Sequence, residues 1–475
     1  MATLYESTPA RHRAGPAGRG AGHGSAHGHG PGPGPGGGPA VSPAAAVLAL
    51  LWAGAAAVLW LWWVDTAAVV TAADWLNGAG RITGLLAGYG CAVLVALMAR
   101  VPVLERGVGS DRVARWHALA GRWTVSLVLA HVALIVWGYA VQSGTSVVSQ
   151  TTEIVLDYPE MLKATAGTLI ILAVGAVSAR AVRRRVSHET WYYLHLLTYA
   201  AVFLAFGHQL AVGADFVGSA PARAAWYALY LGAAALVLWY RVLVPVRLNA
   251  RHRLRVESVV REAPGVVSVV VAGRRPEGVT AEAGQFFRWR FLTPGLWGTS
   301  TPYSLSAPPR GGRLRITVKA LGDHSAALAT VRPGTRVWVE GPYGALTARR
   351  RTRRKVLLLA GGVGITPLRA LFETLPAAPG DLTLVYRARR PEDLALRAEL
   401  EAIAAARGAR LYYALNTPEG ASVPITAAGL RAALPDIDRH DVYLCGPPGM
   451  AGSAYEALRA AGVPARRIHH ESFEL

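Results

Sequence analysis

The sequence predicts a multidomain membrane protein: a six-helix transmembrane bundle, then a small antiparallel β-barrel, then an α/β doubly wound domain. Three observations predict it. Six apolar stretches of roughly membrane-spanning length fill the first half of the chain. Short runs of alternating hydrophobicity, punctuated by glycine and proline, begin near Arg251. Beyond Lys355 strands alternate with helices, and a glycine loop follows the first strand. Composition agrees. Of 475 residues, 52% are hydrophobic and only 16% charged, and the mean hydropathy is +0.29, which excludes a disordered or fibrous chain. The two cysteines, Cys91 and Cys445, exclude a disulfide scaffold and a four-cysteine iron–sulfur cluster.

Residues 1–43 form a Gly/Pro/His-rich tail carrying His12, His23, His27 and His29. Its composition cannot bury enough surface to offset ordering entropy, so a disordered, solvated tail is expected in preference to a metal site. The spans follow at about 44–64, 82–99, 117–141, 164–180, 191–212 and 224–246, each near the ~20 residues a bilayer requires. The fourth is the shortest.

The net charge of +20 fits either a nucleic-acid partner or cationic loops on one membrane face. The arginines lie between apolar runs, which favours the second reading and no nucleic acid. Arg100, Arg106, Arg112 and Arg115 follow span two; Arg180, Arg183, Arg184 and Arg185 follow span four; Arg241 and Arg247 end span six. The alternate loops carry Asp65 and Asp74, then Glu153, Asp157 and Glu160, then Asp215. Positive loops stay cytoplasmic, so a multi-pass cell-membrane protein with both termini inside is expected, its partner there being membrane lipid.

Spans three and five each carry two histidines: His117 and His131, His195 and His208. Ionisable side chains at membrane depth mark function by default. The first pair is separated by 14 residues, ~21 Å and nearly four whole turns of helix, so both rings share one side. The second is separated by 13 residues, which leaves its two rings well apart around an ideal helix. Both spans run in the same direction, so His117 matches His195 in depth and His131 matches His208. Each pair can supply two axial nitrogens to one haem iron, an arrangement suited to electron transfer. Two b-type haems are therefore expected.

In the second half, RLRVESVV, VVSVVVAG, QFFRWRF, RLRITVKAL and RVWVEG read as barrel strands. After the basic run Arg349–Lys355, VLLLA leads to a glycine turn with Gly361, Gly362 and Gly364. Thr366 is expected to N-cap the next helix, with Pro367 in its first turn. A helix N-terminus approached closely by backbone suits a pyrophosphate. LTLVYRA, a helix near 394–407, RLYYAL and VYLCG complete the doubly wound layout. Arg387, Arg389 and Arg390 follow its second strand, where guanidinium groups would favour the 2′-phosphate of NADPH over NADH.

Three further motifs carry a resemblance. Thr301-Pro-Tyr-Ser-Leu-Ser306 resembles the flavin-binding motif of the ferredoxin–NADP reductase superfamily, Gly341-Pro-Tyr-Gly344 its barrel-closing turn, and Cys445-Gly-Pro-Pro448 its nicotinamide-site strand end. With six spans and four membrane histidines ahead of them, residues 44–475 resemble the ferric reductase / NADPH oxidase family. The resemblance implies a transmembrane haem domain over 44–247, an FAD-binding barrel over 251–348 and an NAD(P)-binding domain over 353–475. It implies that Thr301, Pro302, Tyr303 and Ser304 meet the flavin, with Tyr303 against the isoalloxazine and Ser304 near its N5. Arg288 or Arg290 would stand in at the flavin phosphates for a basic residue that the family often has where this chain has Thr301. Lys319 and Gly322–Ser325 match the phosphate segment, with the N-terminus of a helix at 324–331. Cys445, Gly446 and Pro447 would place the nicotinamide, and Phe473 would cover the flavin. Arg81 resembles the family arginine near the outer haem, whereas Ile135 stands where NADPH oxidases tend to carry a second outer histidine.

The implied function is an NAD(P)H:acceptor oxidoreductase. Electrons pass from cytoplasmic NAD(P)H through FAD and two haems to an outside acceptor, with a ferric chelate favoured. The alternatives are a superoxide-producing NADPH oxidase and a haem subunit feeding a partner protein.

Overall fold

The computed structural model describes residues 5–6, 42–66, 69–179, 182, 185–186, 188–275, 277–417, 421 and 424–471. Most of the 1–43 tail, Arg180, Arg183, Arg184 and Phe473 lie outside the described residues. Within them, six helices are long and apolar enough to cross a membrane. They are α1 (Pro43–Val64), α2 (Ala72–Leu97), α3 (Ser110–Ser143), α4 (Met161–Ser178), α5 (His188–Val212) and α6 (Ala220–His252). Their ends follow from local chemistry. Ser42 accepts from the Ala45 N–H ahead of Pro43, and Ser219 accepts from the Ala222 N–H. Gly144, at φ +64, closes α3 with its N–H on Ala140 O, a left-handed cap that suits glycine.

Two spans differ from expectation. Helix α2 starts at Ala72 rather than near residue 82. The run Asp-Trp-Leu-Asn-Gly-Ala-Gly-Arg is too polar to read as membrane helix, yet Thr71 and Asp74 form a capping box and its polar side chains find partners. Asn77 bonds Gln142 at 3.0 Å and Arg81 bonds Asp215. Helix α6 continues past 246 to His252 through a π-helical turn, Leu238–Leu243. That turn lies just ahead of Pro245, whose ring and missing N–H disfavour a regular α turn. Arg251 and His252 thus belong to the helix and not to the barrel.

Small residues let the bundle close, as membrane helices require when lipid is as apolar as leucine. A Cβ on Gly80 would meet Ile135, one on Gly90 would meet Thr124 Oγ1, and one on Gly167 would meet the Ala201 carbonyl. Helix α2 therefore packs along α3, and α4 along α5.

Beyond α6 come β2 (Arg255–Ala263), β3 (Val266–Ala272), β4 (Phe286–Phe291), β5 (Thr301–Ser304), β6 (Arg313–Lys319) and β7 (Val337–Tyr343). They make two antiparallel three-stranded sheets, β2-β3-β6 and β5-β4-β7. Bridges at Arg255↔Arg336 and Leu305↔Ile316 join the sheets. The alternation in QFFRWRF places Phe287, Trp289 and Phe291 fully inside and Arg288 and Arg290 on the opposite face, the period-two consequence of a pleated strand. The short helix α7 (Asp323–Ala327) follows β6.

The last unit contains β8 (Val356–Gly361), α8 (Ile365–Thr374), β9 (Leu382–Arg387), α9 (Arg397–Arg407), β10 (Arg410–Ala414), β11 (Asp441–Cys445), α10 (Pro448–Ala460) and β12 (Ile468–Glu471). The strand order is β1-β10-β9-β8-β11-β12, parallel apart from β1, which is Tyr5–Glu6 from the tail. Expected disorder is thus corrected at two residues: Tyr5 and Glu6 pair with Tyr413 and Tyr412 and cover an edge strand. Strand β8 has neighbours of opposite connection on its two sides, so its carboxyl end is the switch point where doubly wound sheets bind ligands.

One side chain fastens the membrane bundle to the antiparallel sheets. Asn249, in the last turn of α6, donates to Val339 O at 2.7 Å and accepts from Val339 N at 2.9 Å, and it is buried. Asn249→Leu leaves both backbone groups of Val339 unpaired and is expected to cost about 2–4 kcal/mol. A lowered thermal midpoint of the detergent-purified chain checks this; an unchanged midpoint contradicts it.

Candidate functional site

The four membrane histidines meet in two pairs. The rings of His117 and His195 have centroids 5.9 Å apart, and those of His131 and His208 are 6.4 Å apart. The partners are those expected from matching depth, and the 13-residue spacing on α5 does not keep either ring from α3. Trp191 stacks on His195 at 5.0 Å. His131 Nδ1 lies 2.8 Å from Gly80 O, a bond that places the ring proton on Nδ1 and leaves the Nε2 lone pair available. Gly84 makes room for that ring, since a Cβ there would stand 2.5 Å from His131 Nδ1. The Nδ1 atoms of His117, His195 and His208 are buried without a well-formed hydrogen bond. No group of three or more metal-binding side chains exists among the described residues. The pairs therefore do not suit a bare ion held by protein alone. They do fit haem, which brings its own equatorial nitrogens and needs only two axial imidazoles.

The ends of the bundle differ. Contacts that join it to the antiparallel sheets include Asn249 to Val339, Arg100 over the Tyr343 ring at 4.6 Å, and Tyr193 Oη to Gly298 O at 3.4 Å. The loop after α2 and the start of α5 thus lie on the side of the β-sheets, near the His117–His195 pair. At the far end Arg81 bonds Asp215 at 2.7 Å and Asp65 at 2.9 Å. Arg81, read as a donor beside the outer haem, is thus already committed to two carboxylates.

On β4, Arg288 and Arg290 share the outward face, and the Nε of each is buried without a partner. Arg288 spends one Nη on Ser300 O at 2.9 Å. Burial, with Arg100 nearby, pulls its pKa below the ordinary arginine value. Buried cationic donors in want of an acceptor suit the phosphates of FAD. The expected helix N-terminus at 324–331 does not serve. Helix α7 has five residues and gives way to a 3₁₀ turn, Leu328–Thr330. Ser325 Oγ is taken by the N–H groups of Leu321 and Gly322 at 2.9 and 3.1 Å. Lys319 ends β6. Thr301 Oγ1 lies 3.3 Å from His324 Nδ1, a contact with no sequence signal. On β5, Pro302 and Tyr303 are half-buried and Ser304 is buried. Burial pushes the Tyr303 hydroxyl up to about 12, so it stays protonated.

The glycine loop and the Cys445 strand end come together. Gly362, at φ +53, turns the chain out of β8. A Cβ on Gly364 would overlap the Cys445 carbonyl, and one on Gly361 would meet Met450 Sδ and Pro447. The N-cap of α8 is Gly364, not Thr366. The turn begins early at Gly362, leaving Thr366 inside the helix with its Oγ1 on Val363 O at 2.9 Å. Pro367 lies in the first turn, as expected. Cys445 is fully buried beside Gly446, while Pro447 is exposed. Burial, reinforced by Glu471, holds the Cys445 thiol well above its ordinary pKa, so it is no thiolate nucleophile. Glu471 itself, unforeseen in the sequence, ends β12 against Gly344 of the Gly-Pro-Tyr-Gly turn. At the end of β9, Arg390 pairs with Glu392 and Asp393, Arg387 is half-buried, and Arg389 is exposed.

Residues 83–206 match the family described as ferric reductase like transmembrane component, and residues 358–456 match the oxidoreductase NAD-binding domain. The chain thus joins a segment similar to a ferric reductase transmembrane component to one similar to an oxidoreductase NAD-binding domain. Both matched segments carry part of the geometry above: the first holds His117, His131 and His195, with His208 two residues beyond its end, and the second holds the glycine loop and Cys445. The ferredoxin reductase component of 3-ketosteroid-9-alpha-monooxygenase from Mycolicibacterium smegmatis is 33% identical over 235 residues, 46% of this chain and 65% of that protein. A flavohemoprotein of Xylella fastidiosa is 30% identical over 207 residues, 41% of this chain and 51% of that protein. The chain thus spans between half and two thirds of the length of these curated relatives. A solved ferredoxin reductase in carbazole 1,9a-dioxygenase is 25% identical, covers 47% of this chain and 69% of its own, and has a TM-score of 0.41.

Proposed function

We propose that the chain takes reducing equivalents from NAD(P)H on its β-sheet side, the cytoplasm, and delivers them across the membrane to an acceptor outside. The observation that carries this reading is the two facing histidine pairs in a bundle whose one end is fastened to a dinucleotide-binding half. The chemistry supplied by the bound groups is hydride acceptance by FAD and one-electron relay by two haems. The chain's own residues do the rest. His117 with His195, and His131 with His208, would each hold one haem. Arg288 and Arg290 would hold the flavin phosphates, and Tyr303 and Ser304 would line the flavin. Gly361, Gly362 and Gly364 would admit the pyrophosphate, and Cys445 with Gly446 would seat the nicotinamide.

A ferric chelate is the favoured acceptor over oxygen. Oxygen reduction benefits from donors beside the developing negative charge. Here Arg81 is held by Asp65 and Asp215, and Ile135 packs on Gly80. The purified full chain with NADPH is expected to consume cofactor faster when ferric chelate is added without oxygen. Superoxide formed in step with NADPH in air, with no acceleration by chelate, would falsify the preference.

NADPH is favoured over NADH through the Arg387, Arg389 and Arg390 group, of which Arg389 is exposed at the end of β9, where the 2′-phosphate would be reached. Losing one charge-assisted contact of this kind typically weakens binding by about tenfold. Arg389→Ala is therefore expected to raise the KM for NADPH by about that factor and to leave that for NADH unchanged. Equal shifts for both cofactors would remove Arg389 from the site.

A further inference from the structure

An ion network crosses from the antiparallel sheets to the nucleotide-binding unit, and none of the motifs above accounts for it. Arg315, on β6, is largely buried. It donates to both carboxylate oxygens of Glu399 on α9, at 2.6 and 2.8 Å. It also donates to Ser306, through Nε to Oγ at 3.1 Å and through Nη2 to the backbone O at 2.9 Å. Ser306 is fully buried and accepts from Thr317 Oγ1 at 2.8 Å. On the far side, Arg369 of α8 reaches Glu399 at 2.8 Å and Glu373 at 2.5 Å. Arg310, before β6, reaches Glu373 at 2.9 Å. Glu399 and Glu373 are thus each held by one arginine from the antiparallel half and by Arg369. Burial works against the Glu399 carboxylate, yet Arg315 and Arg369 keep it below its ordinary pKa.

Placement gives the network its meaning. Ser306 is two residues beyond Ser304 in the flavin motif. Arg369 is three residues beyond Thr366, on the helix that opens at the glycine loop. The bidentate Arg315–Glu399 pair fixes direction as well as distance; it joins β6 to α9, and reaches the end of the flavin motif through Ser306 and the glycine-loop helix α8 through Arg369. The network is also open at its rim, where the Arg310 side chain is 71% exposed, so salt reaches it.

We propose that the chain Arg315–Glu399–Arg369–Glu373–Arg310 is an interdomain clamp that sets the approach of the nicotinamide site to the flavin strand. This rests on the NAD(P)H-to-FAD reading of the site. Arg315 and Glu399 are positioning residues in it.

The test uses the full chain in detergent, loaded with FAD and mixed anaerobically with NADPH. Glu399→Gln, which keeps the shape and removes the charge, is expected to slow flavin reduction at saturating NADPH by about tenfold, the scale of a small misplacement of reacting groups. The half-saturating NADPH concentration should move much less. Wild-type reduction should slow with added salt, and the variant should lose that response. Glu399→Asp should recover part of the rate. Arg315→Gln should lose as much as Glu399→Gln, and the double variant no more than either, as for two members of one interaction. Without nucleotide, amide hydrogen exchange over residues 397–407 should quicken in both single variants. Wild-type rate and salt response in Glu399→Gln, or additive losses in the double variant, overturn the clamp. If neither NADPH nor NADH reduces the wild-type flavin, the proposed function fails, and unchanged hydrogen exchange in the variants then overturns the clamp separately.

Discussion

Replacing His131 by alanine is expected to lower the haem content of the full chain from about two per chain to about one, and to stop electron delivery to the outside acceptor. NADPH-driven reduction of a soluble dye on the β-sheet side should continue, because the flavin and nucleotide residues lie at the opposite end of the bundle. His195→Ala should also lose one haem, and should block transfer at its first membrane step. The two variants are therefore distinguished by which haem signal remains. The argument rests on pairing. The His131 and His208 centroids are 6.4 Å apart and His131 Nδ1 is tied to Gly80 O, so Nε2 is the atom left for iron. Gly84→Val tests the same site without touching a ligand, since its side chain would press on the His131 ring. It should weaken retention of that haem while sparing the other. A pyridine haemochrome value near two in His131→Ala would sink the assignment.

These histidines were legible in the sequence because hydropathy fixes depth, and depth alone matches His117 with His195 and His131 with His208. The ends of the spans were less legible. Helix α2 begins ahead of its apolar run because Arg81 is compensated by Asp215, a partner from the other side of the bundle that local hydropathy cannot register. In the β half, QFFRWRF announced its strand through alternation. Thr301–Ser304 did not, since a four-residue strand containing Pro302 exists only through its pairing with β4. The glycine loop was visible, but its cap was not. The positive φ of Gly362 starts the turn early enough for Gly364 to take the position expected of Thr366. The clamp left no trace in the sequence. Arg315, Arg369 and Glu399 are ordinary surface-type charges until the fold places them together.

The contrast between the two ends of the bundle bears on direction. At the sheet end, Arg100, Arg241 and Arg288 stand near one another, with Glu340 close by and Glu105 3.9 Å from Arg100. At the far end, Arg81 is balanced by two carboxylates.

Gly364→Ala is expected to have the largest effect of any single methyl group in the nucleotide-binding unit. The added Cβ would overlap the carbonyl carbon and oxygen of Cys445 and lie 2.7 Å from the Gly446 N. All three are backbone atoms. None is the end of a flexible side chain that can swing aside, and Cys445 is held in β11 between β8 and β12. Either the glycine loop lifts away from the strand end or β11 shifts in its sheet. Each displaces the pyrophosphate loop from the nicotinamide seat, the two features that must share one dinucleotide. Overpacking of this kind costs about 1–3 kcal/mol in stability, and misplacement on the ångström scale costs about a hundredfold in rate. The variant should therefore fold with a modestly lowered thermal midpoint, keep its haem, and reduce its flavin with NADPH about a hundredfold more slowly. Gly362→Ala is the informative companion. Its Cβ would meet nothing within 4 Å, but φ +53 imposes backbone strain of about 1 kcal/mol. It should cost stability while leaving most of the rate. Equal rate losses in the two variants would mean that the loop, rather than its contact with Cys445, sets the nicotinamide position.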